Sequence, residues 1–188
     1  MSQIKLKHSG GNGVIIAAPS SNPAADRTLL LPSNSDSTID TLNRAGNILA
    51  VSYGFRTGHL QTTSTSYVDS GITANITPSS SSNKILIQMN PLMGLRDASG
   101  QDVISQVRIL RIVGGTDTEI FTERTADFMR YMIGAGNTDY MIAGQFLQHQ
   151  DSPSTTNQIT YKLQVRTGGA GTLSCWAGSG IVLQEVAV

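Results

Sequence analysis

An antiparallel β-sandwich of the jelly-roll kind, preceded by a small β-hairpin arm, is the fold class this sequence predicts, and three observations predict it. The polar residues are of the strand and turn type: 21 Ser, 19 Thr, 19 Gly and 10 Asn stand against four Lys and three Glu. That balance depletes helix formers and favours strands, turns and local backbone hydrogen bonding. Short apolar runs alternate with polar residues at period two. Turn signals separate those runs at short, regular intervals, which is the spacing of a sandwich or jelly roll. With 39% apolar residues in such patterns, a disordered Ser/Thr-rich chain is the poorer reading.

The first 46 residues form the arm. Ile4 and Leu6 alternate with Lys5 and Lys7, Gly10-Gly11-Asn12-Gly13 follows, and then Val14-Ile15-Ile16-Ala17. Asn12-Gly13 between two apolar runs predicts a hairpin with a type I′ turn, which needs positive φ at both central residues. The same glycines lack G-x-G-x-x-G spacing and a following helix, so no phosphate loop is read there. Pro19 to Pro23 is a turn-rich break, and Leu29-Leu30-Leu31 is a short strand ended by Pro32. Residues 35–46 hold one plausible helical turn, capped by Asp36 or Ser37 and stopped by Gly46. So small a segment cannot bury a core alone and is expected to fold against copies of itself or a host structure.

Residues 47–188 form the main domain. Ile72, Ala74 and Ile76 alternate with Thr73, Asn75 and Thr77; Pro78 to Asn83 turns the chain, and Ile85 to Met89 follows. Ile159, Tyr161, Leu163 and Val165 against Thr160, Lys162, Gln164 and Arg166 is the cleanest period-two case. Further strands are expected near 48–56, 65–70, 103–113, 117–124, 127–133, 140–148, 171–177 and 180–187, about ten strands in all.

Charge argues against several function classes. Thirteen basic and thirteen acidic residues cancel, and the scattered Arg and Lys form no nucleic-acid stripe. No run approaches the length needed to cross a bilayer as a helix, and no secretory leader is evident. Cys175, the sole cysteine, alternates with Leu173 and Ala177 and reads as a buried thiol, in keeping with a reducing cytoplasm during synthesis.

Several phrases carry a family resemblance. Lys7-His8-Ser9-Gly10-Gly11-Asn12-Gly13-Val14, with Ala18 to Leu29 and Leu31-Pro32, resembles the N-terminal region of short fibre-like virion proteins of tailed bacteriophages, particularly of marine bacteria. Thr62 to Asp69 with Ile76-Thr77-Pro78 and Lys84-Ile85-Leu86 is similar to the start of their C-terminal domain. So are Asp151-Ser152-Pro153, Thr160 to Gln164 and the closing Gly180 to Glu185. Residues 90–150 lack this phrasing. The resemblance implies a homotrimeric C1q/TNF-like jelly roll on the virion surface, held to other virion proteins of tail or capsid through its N-terminus. It implies a tail fibre or short spike contacting a host-surface glycan or protein, with a capsid decoration protein as the alternative. Attachment would then use Ile4, Leu6, Val14, Ile16, Leu29 and Leu31.

No catalytic or metal group, and no cofactor, is expected. His8, His59 and His149 have no metal-ligand spacing and read as solvated or locally bonded, His149 at a strand end. Glu119 and Glu123, with Asp127 nearby, could flank a glycosidic bond from one strand face. Arg124 and Arg130 beside them favour an exposed, ion-paired face instead. Among the ten aromatics, Tyr131, Tyr140 and Trp176 could stack on sugars, with Arg130, Asn137 and Asp139 hydrogen-bonding. The competing reading puts Trp176 in the core or an interface and both tyrosines in a subunit contact.

Overall fold

A computed structural model describes residues 3–7, 10–11, 13–17, 44–97, 103–122, 128–131, 139–169 and 171–188, and every regular element among them is a strand. The chain divides into two compact units, Met1–Ile39 and Asp40–Val188.

In the first unit, β1 (Gln3–Lys7) pairs antiparallel with β2 (Gly13–Ala17). Ile4 faces Ile16 and Leu6 faces Val14 in register, so four of the proposed attachment residues occupy matched positions of one hairpin. The type I′ turn at Asn12-Gly13 is not formed. Gly13 is already the first residue of β2, opposite Lys7, and Gly11, before it, takes φ 97°. Leu29, Leu31, the 29–31 strand and most of the expected helical turn lie outside the described residues; Arg44 to Gly46 is a turn.

The second unit contains thirteen strands among its described residues. In chain order they are β3 (Ile48–Phe55), β4 (Leu60–Thr62), β5 (Val68–Ile76), β6 (Lys84–Asn90), β7 (Leu92–Asp97), β8 (Val103–Val113) and β9 (Thr116–Thr122), then β10 (Met129–Tyr131), β11 (Asp139–Gly144), β12 (Leu147–Asp151), β13 (Ile159–Thr167), β14 (Thr172–Cys175) and β15 (Gly180–Val186). One sheet has the order β10-β8-β13-β5, with β9 also on β8; two four-stranded ladders have the orders β12-β6-β15-β3 and β11-β7-β14-β4.

The two ladders are consecutive stretches of the same four ribbons. Inward-facing residues run Ile85, Ile87, Met89, Pro91, Met93 and Leu95 without a change of parity across the β6–β7 break. Parity is also kept from Leu173 and Cys175 to Ile181 and Leu183. Backbone bonds bridge the line of breaks, from Gln145 N to Pro91 O (2.9 Å), Trp176 N to Leu92 O (3.0 Å) and Arg56 N to Ser179 O (2.8 Å). Counting β3–β4, β6–β7, β9–β10, β11–β12 and β14–β15 as single ribbons leaves eight, ordered 1-8-3-6 in one sheet and 2-7-4-5 in the other. That is the double Greek-key order of a jelly roll.

Strand positions differ from expectation at four places. Leu60–Thr62 and Leu92–Asp97 are strands the sequence did not signal, the latter because Pro91 reads as a terminator when it is a buried, in-phase link. The expected 140–148 strand is two, broken at Gln145-Phe146. The expected 65–70 strand begins at Val68 and runs through to Ile76, bulging at Gly71 (φ 80°). Ser70 stitches that bulge, donating to Leu163 O (2.7 Å) and accepting from Ile72 N (3.1 Å), while Arg56 also bonds Ser70 O.

Two buried carboxylates fasten the sandwich. Asp151, 7% exposed on β12, accepts from Arg111 Nη1 (2.9 Å) on β8 and from the Tyr161 hydroxyl (2.7 Å) on β13. Burial, followed by that bond to Asp151, pushes the Tyr161 phenol far up. Glu185, 1% exposed, accepts from Ser79 N, Ser79 Oγ and Asn83 Nδ2, all at 2.7 Å. Burial pushes its pKa up, but these donors outweigh it and hold the carboxyl below its ordinary value.

Gly54 sets the closure of β3 over β5: a Cβ there would lie 1.9 Å from Thr73 O. Gly54→Val is expected to cost about 3 kcal/mol in urea denaturation through overpacking; an unchanged midpoint contradicts this closure. A lowered folded pKa at Glu185 adds stability that is full above the unfolded carboxylate pKa and fades as pH falls through the folded one. Glu185→Gln is therefore expected to lower the urea midpoint at neutral pH and to make the acid limb shallower than in the parent.

Candidate functional site

The strand β3 is built inside out. Its small residues Ala50, Ser52 and Gly54 face the core, and Val51, Tyr53 and Phe55 face outward at 58%, 69% and 63% exposure. Small inward residues are needed because β3 lies so close to β5, as the Gly54 approach shows. Bulk is therefore displaced to the outer face.

Register carries the outer face across the sheet. Tyr53 adjoins Val182, then Gln88 and Gln148; Val51 adjoins Gln184, then Leu86 and Gln150. Tyr53 and Phe55 rings meet at 5.6 Å. At the Phe55 end, Phe55, Val182 and Phe146 line an apolar groove of about 350 Å³ with Gln88 and Asn90. Phe146 is itself 63% exposed. Lys84, at one end, is the single charged outward position among the described residues of β12, β6, β15 and β3.

The same face continues over β11, β7, β14 and β4. Gly94 is outward there, and the Trp176 ring fills the space a side chain would take, with ring carbons 2.3 and 2.5 Å from a notional Cβ. His59 stacks on that indole at 5.2 Å and 12°. Ile142, in register with Gly94, is 55% exposed.

The outer face of the other sheet has the opposite chemistry. Arg108 and Arg166 lie over the Tyr67 ring at 4.4 and 4.7 Å. Arg108 bonds Gln164 (2.7 Å) and Glu119 (3.1 Å), Arg166 bonds Gln106 (2.8 Å), and Lys162 pairs with Asp69 (3.0 Å). Burial pushes the Asp69 carboxyl up, but bonds from Gln164 and Lys162 outweigh it and hold it below its ordinary value. This network satisfies its own donors and acceptors and sits well in water.

The described sequence-nominated residues fall on strands of both sheets. Arg130 is exposed and Tyr131 half-buried on β10, which belongs to the polar sheet beside β8. Tyr131 packs in part against the chain's own core. Asp139 and Tyr140 lie on β11 in the other sheet, in register with Asp97 and Arg96. Asn137, Glu123, Asp127 and His8 lie outside the described residues. Glu119 is engaged by Arg108, as the ion-paired reading expects. His149 is not at a strand end: it sits mid-β12, half-buried, 5.8 Å from the Phe121 ring. Cys175 is fully buried, and burial pushes its thiol pKa up. No group of three potential metal ligands occurs among the described residues.

Sequence reasoning missed the β3 stripe. Its signal was present as the alternation Val51-Ser52-Tyr53-Gly54-Phe55, but period two does not say which face is inside.

No protein-family model matches the chain, and no curated protein does. Among solved structures, it is similar to a chain of the infectious bursal disease virus Gx strain, at 19% identity over 94% of this chain and 42% of that one, TM-score 0.41. The VP2 subviral particle of the same virus gives 16% identity over 86% and 37%, TM-score 0.39. Eiger TNF from S. frugiperda gives 14% identity over 77% and 94%, TM-score 0.34. The chain spans less than half the length of these viral proteins. Likenesses this distant say nothing of what the chain does.

Trp176 is the sole tryptophan, so its seat can be read optically. Gly94→Val is expected to expel the indole, red-shifting its emission and costing about 1–3 kcal/mol by overpacking. An emission maximum identical to the parent contradicts the seat described.

Proposed function

We propose that this chain is a non-enzymatic structural component of a tailed-phage virion, a homotrimer serving as a tail fibre or short spike at the host surface. The observation that carries the self-associating part is the outer face of the four-ribbon sheet. Six of its side chains (Ile48, Val51, Tyr53, Phe55, Ile142 and Phe146) are each more than half exposed. Each presents about 100 Å² given typical side-chain areas, so the patch reaches the upper end of what a soluble monomer shows. The polar, ion-paired sheet opposite is the face suited to solvent. Placement on a virion is supported by the resemblance of both ends of the chain to fibre-like phage proteins. Attachment through the hairpin, with Ile4, Leu6, Val14 and Ile16 as its apolar positions, and host contact from residues 130–140 belong to the same reading.

Light scattering on the purified chain is expected to give three times the chain mass. Tyr53→Lys/Phe55→Lys, which removes apolar contacts and adds charge without touching the core, is expected to give a folded monomer. A parent mass of one chain overturns the oligomer, and a variant mass equal to that of an oligomeric parent overturns this face as its interface. On intact particles, labelled antibody is expected at the tail alone. Signal over the whole head would assign a decoration role instead, and no signal would remove the virion reading.

A further inference from the structure

We infer that the bulge in β5 opens a binding cleft for one neutral sugar ring on the outer face of the polar sheet, where Asp69 and Lys162 hold a vicinal diol. The inference stands on the chemistry of the cleft. It depends neither on the self-association nor on the virion placement proposed above, so its failure leaves both standing.

The cleft follows from register. Lys162 of β13 lies opposite Thr73 of β5, but Gln164, two positions on, lies opposite Asp69, so Ser70, Gly71 and Ile72 have no partner on β13. The extra residues bend β5 at this point, and Gly71, at φ 80°, brings no side chain to the gap. The resulting cleft of about 220 Å³ has Asp69, Gly71, Thr73, Ile112, Thr160 and Lys162 in its lining. Sites for drug-sized ligands run to roughly 300–1,000 Å³, so this one suits a single ring. The Asp69 side chain is 54% exposed and that of Lys162 24%, so a ligand in solution reaches both.

The polar groups of the lining are paired with one another yet keep capacity that water fills. Asp69 accepts from Lys162 Nζ (3.0 Å) and from Gln164 Nε2, and an ionised carboxylate has further lone pairs, as an ammonium has further N–H groups. Thr73 Oγ1 donates to Tyr161 O (3.0 Å) and Thr160 Oγ1 to Asn75 Oδ1 (2.7 Å). Both hydroxyl protons are thereby committed, and the lone pairs remain as acceptors. A carboxylate beside an ammonium matches two adjacent hydroxyls, each able to donate to the one and accept from the other. Half-buried Ile112 supplies an apolar wall for the C–H face of the ring. Charge selects a neutral sugar. Lys162 is met by Asp69, Arg108 is met by Glu119 (3.1 Å), and Asp117 stands in register with Ile112 on the far side. An acidic sugar would face Asp69 and Asp117, and Lys162, already paired, is the single cation among the described residues of the lining.

The test titrates the full chain with the methyl glycosides of glucose, mannose and galactose, and with methyl glucuronide as the anionic comparison. Binding is read by saturation-transfer difference NMR. At least one neutral glycoside is expected to bind in the millimolar range, and the glucuronide more weakly. Asp69→Ala and Lys162→Met, both on the wet face, are each expected to weaken that binding about tenfold, the loss of one charge-assisted hydrogen bond. Thr160→Val, close in shape to the parent residue, is expected to act in the same direction and guards against a variant that fails to fold. Absence of saturation transfer from every neutral glycoside up to tens of millimolar overturns the inference. Undiminished binding in folded variants also overturns it, because the sugar then sits elsewhere. Glucuronide binding tighter than the neutral glycosides overturns it in favour of an anion site.

Discussion

Side-chain parity, kept in phase through every interruption of the four-ribbon sheet, is the constraint on which the rest of this structure depends. Ile85, Ile87, Met89, Pro91, Met93 and Leu95 all face the core, although a proline interrupts the ladder hydrogen bonding in their midst. A slip of one residue at Pro91, at Gln145-Phe146 or at the Trp176–Ser179 turn would present apolar side chains to water on one half of the ribbon. Because no slip occurs, two short ladders share one core with the five-stranded sheet. They also share one outer face, and that is why Tyr53, Phe55, Phe146 and Ile142 belong to a single surface.

The core they share is not purely apolar. Asp151 is held across the sandwich by Arg111 and Tyr161, and Glu185 gathers the serine-rich turn at residues 79–83. Buried charge is a poor source of net stability, but removing one partner is costly, since the other is left without solvation. Both carboxylates therefore fix position: Asp151 sets where the border strand β12 sits against β8 and β13, and Glu185 sets where the turn meets β15. These placements hold the groove and the apolar border in a defined geometry.

Much of the fold was legible in the sequence. The alternation of Ile159 to Val165 against Thr160 to Arg166 marks a strand with one buried and one wet face, and the Ser, Thr and Gly content argues against a helical core. Three features were not legible, each for a physical reason. Pro91 looks like a strand end because its missing N–H cannot be seen to fall on a line of breaks. Asn12-Gly13 looks like a tight turn because local turn chemistry is blind to the register that makes Gly13 a strand residue. The stripe of β3 could not be assigned to the outer face because Gly54 and Ser52 face inward only on account of a neighbouring strand, a tertiary fact.

In the assembly we propose, the apolar outer face of the four-ribbon sheet is covered while the ion-paired face stays wet. Hydroxyl-radical footprinting of the assembled full-length protein measures both faces in one experiment. Tyr53, Phe55 and Phe146 are expected to be modified slowly despite exposures of 69%, 63% and 63% in the single chain. Rapid modification of these three, at the rate expected for freely exposed rings, would contradict it.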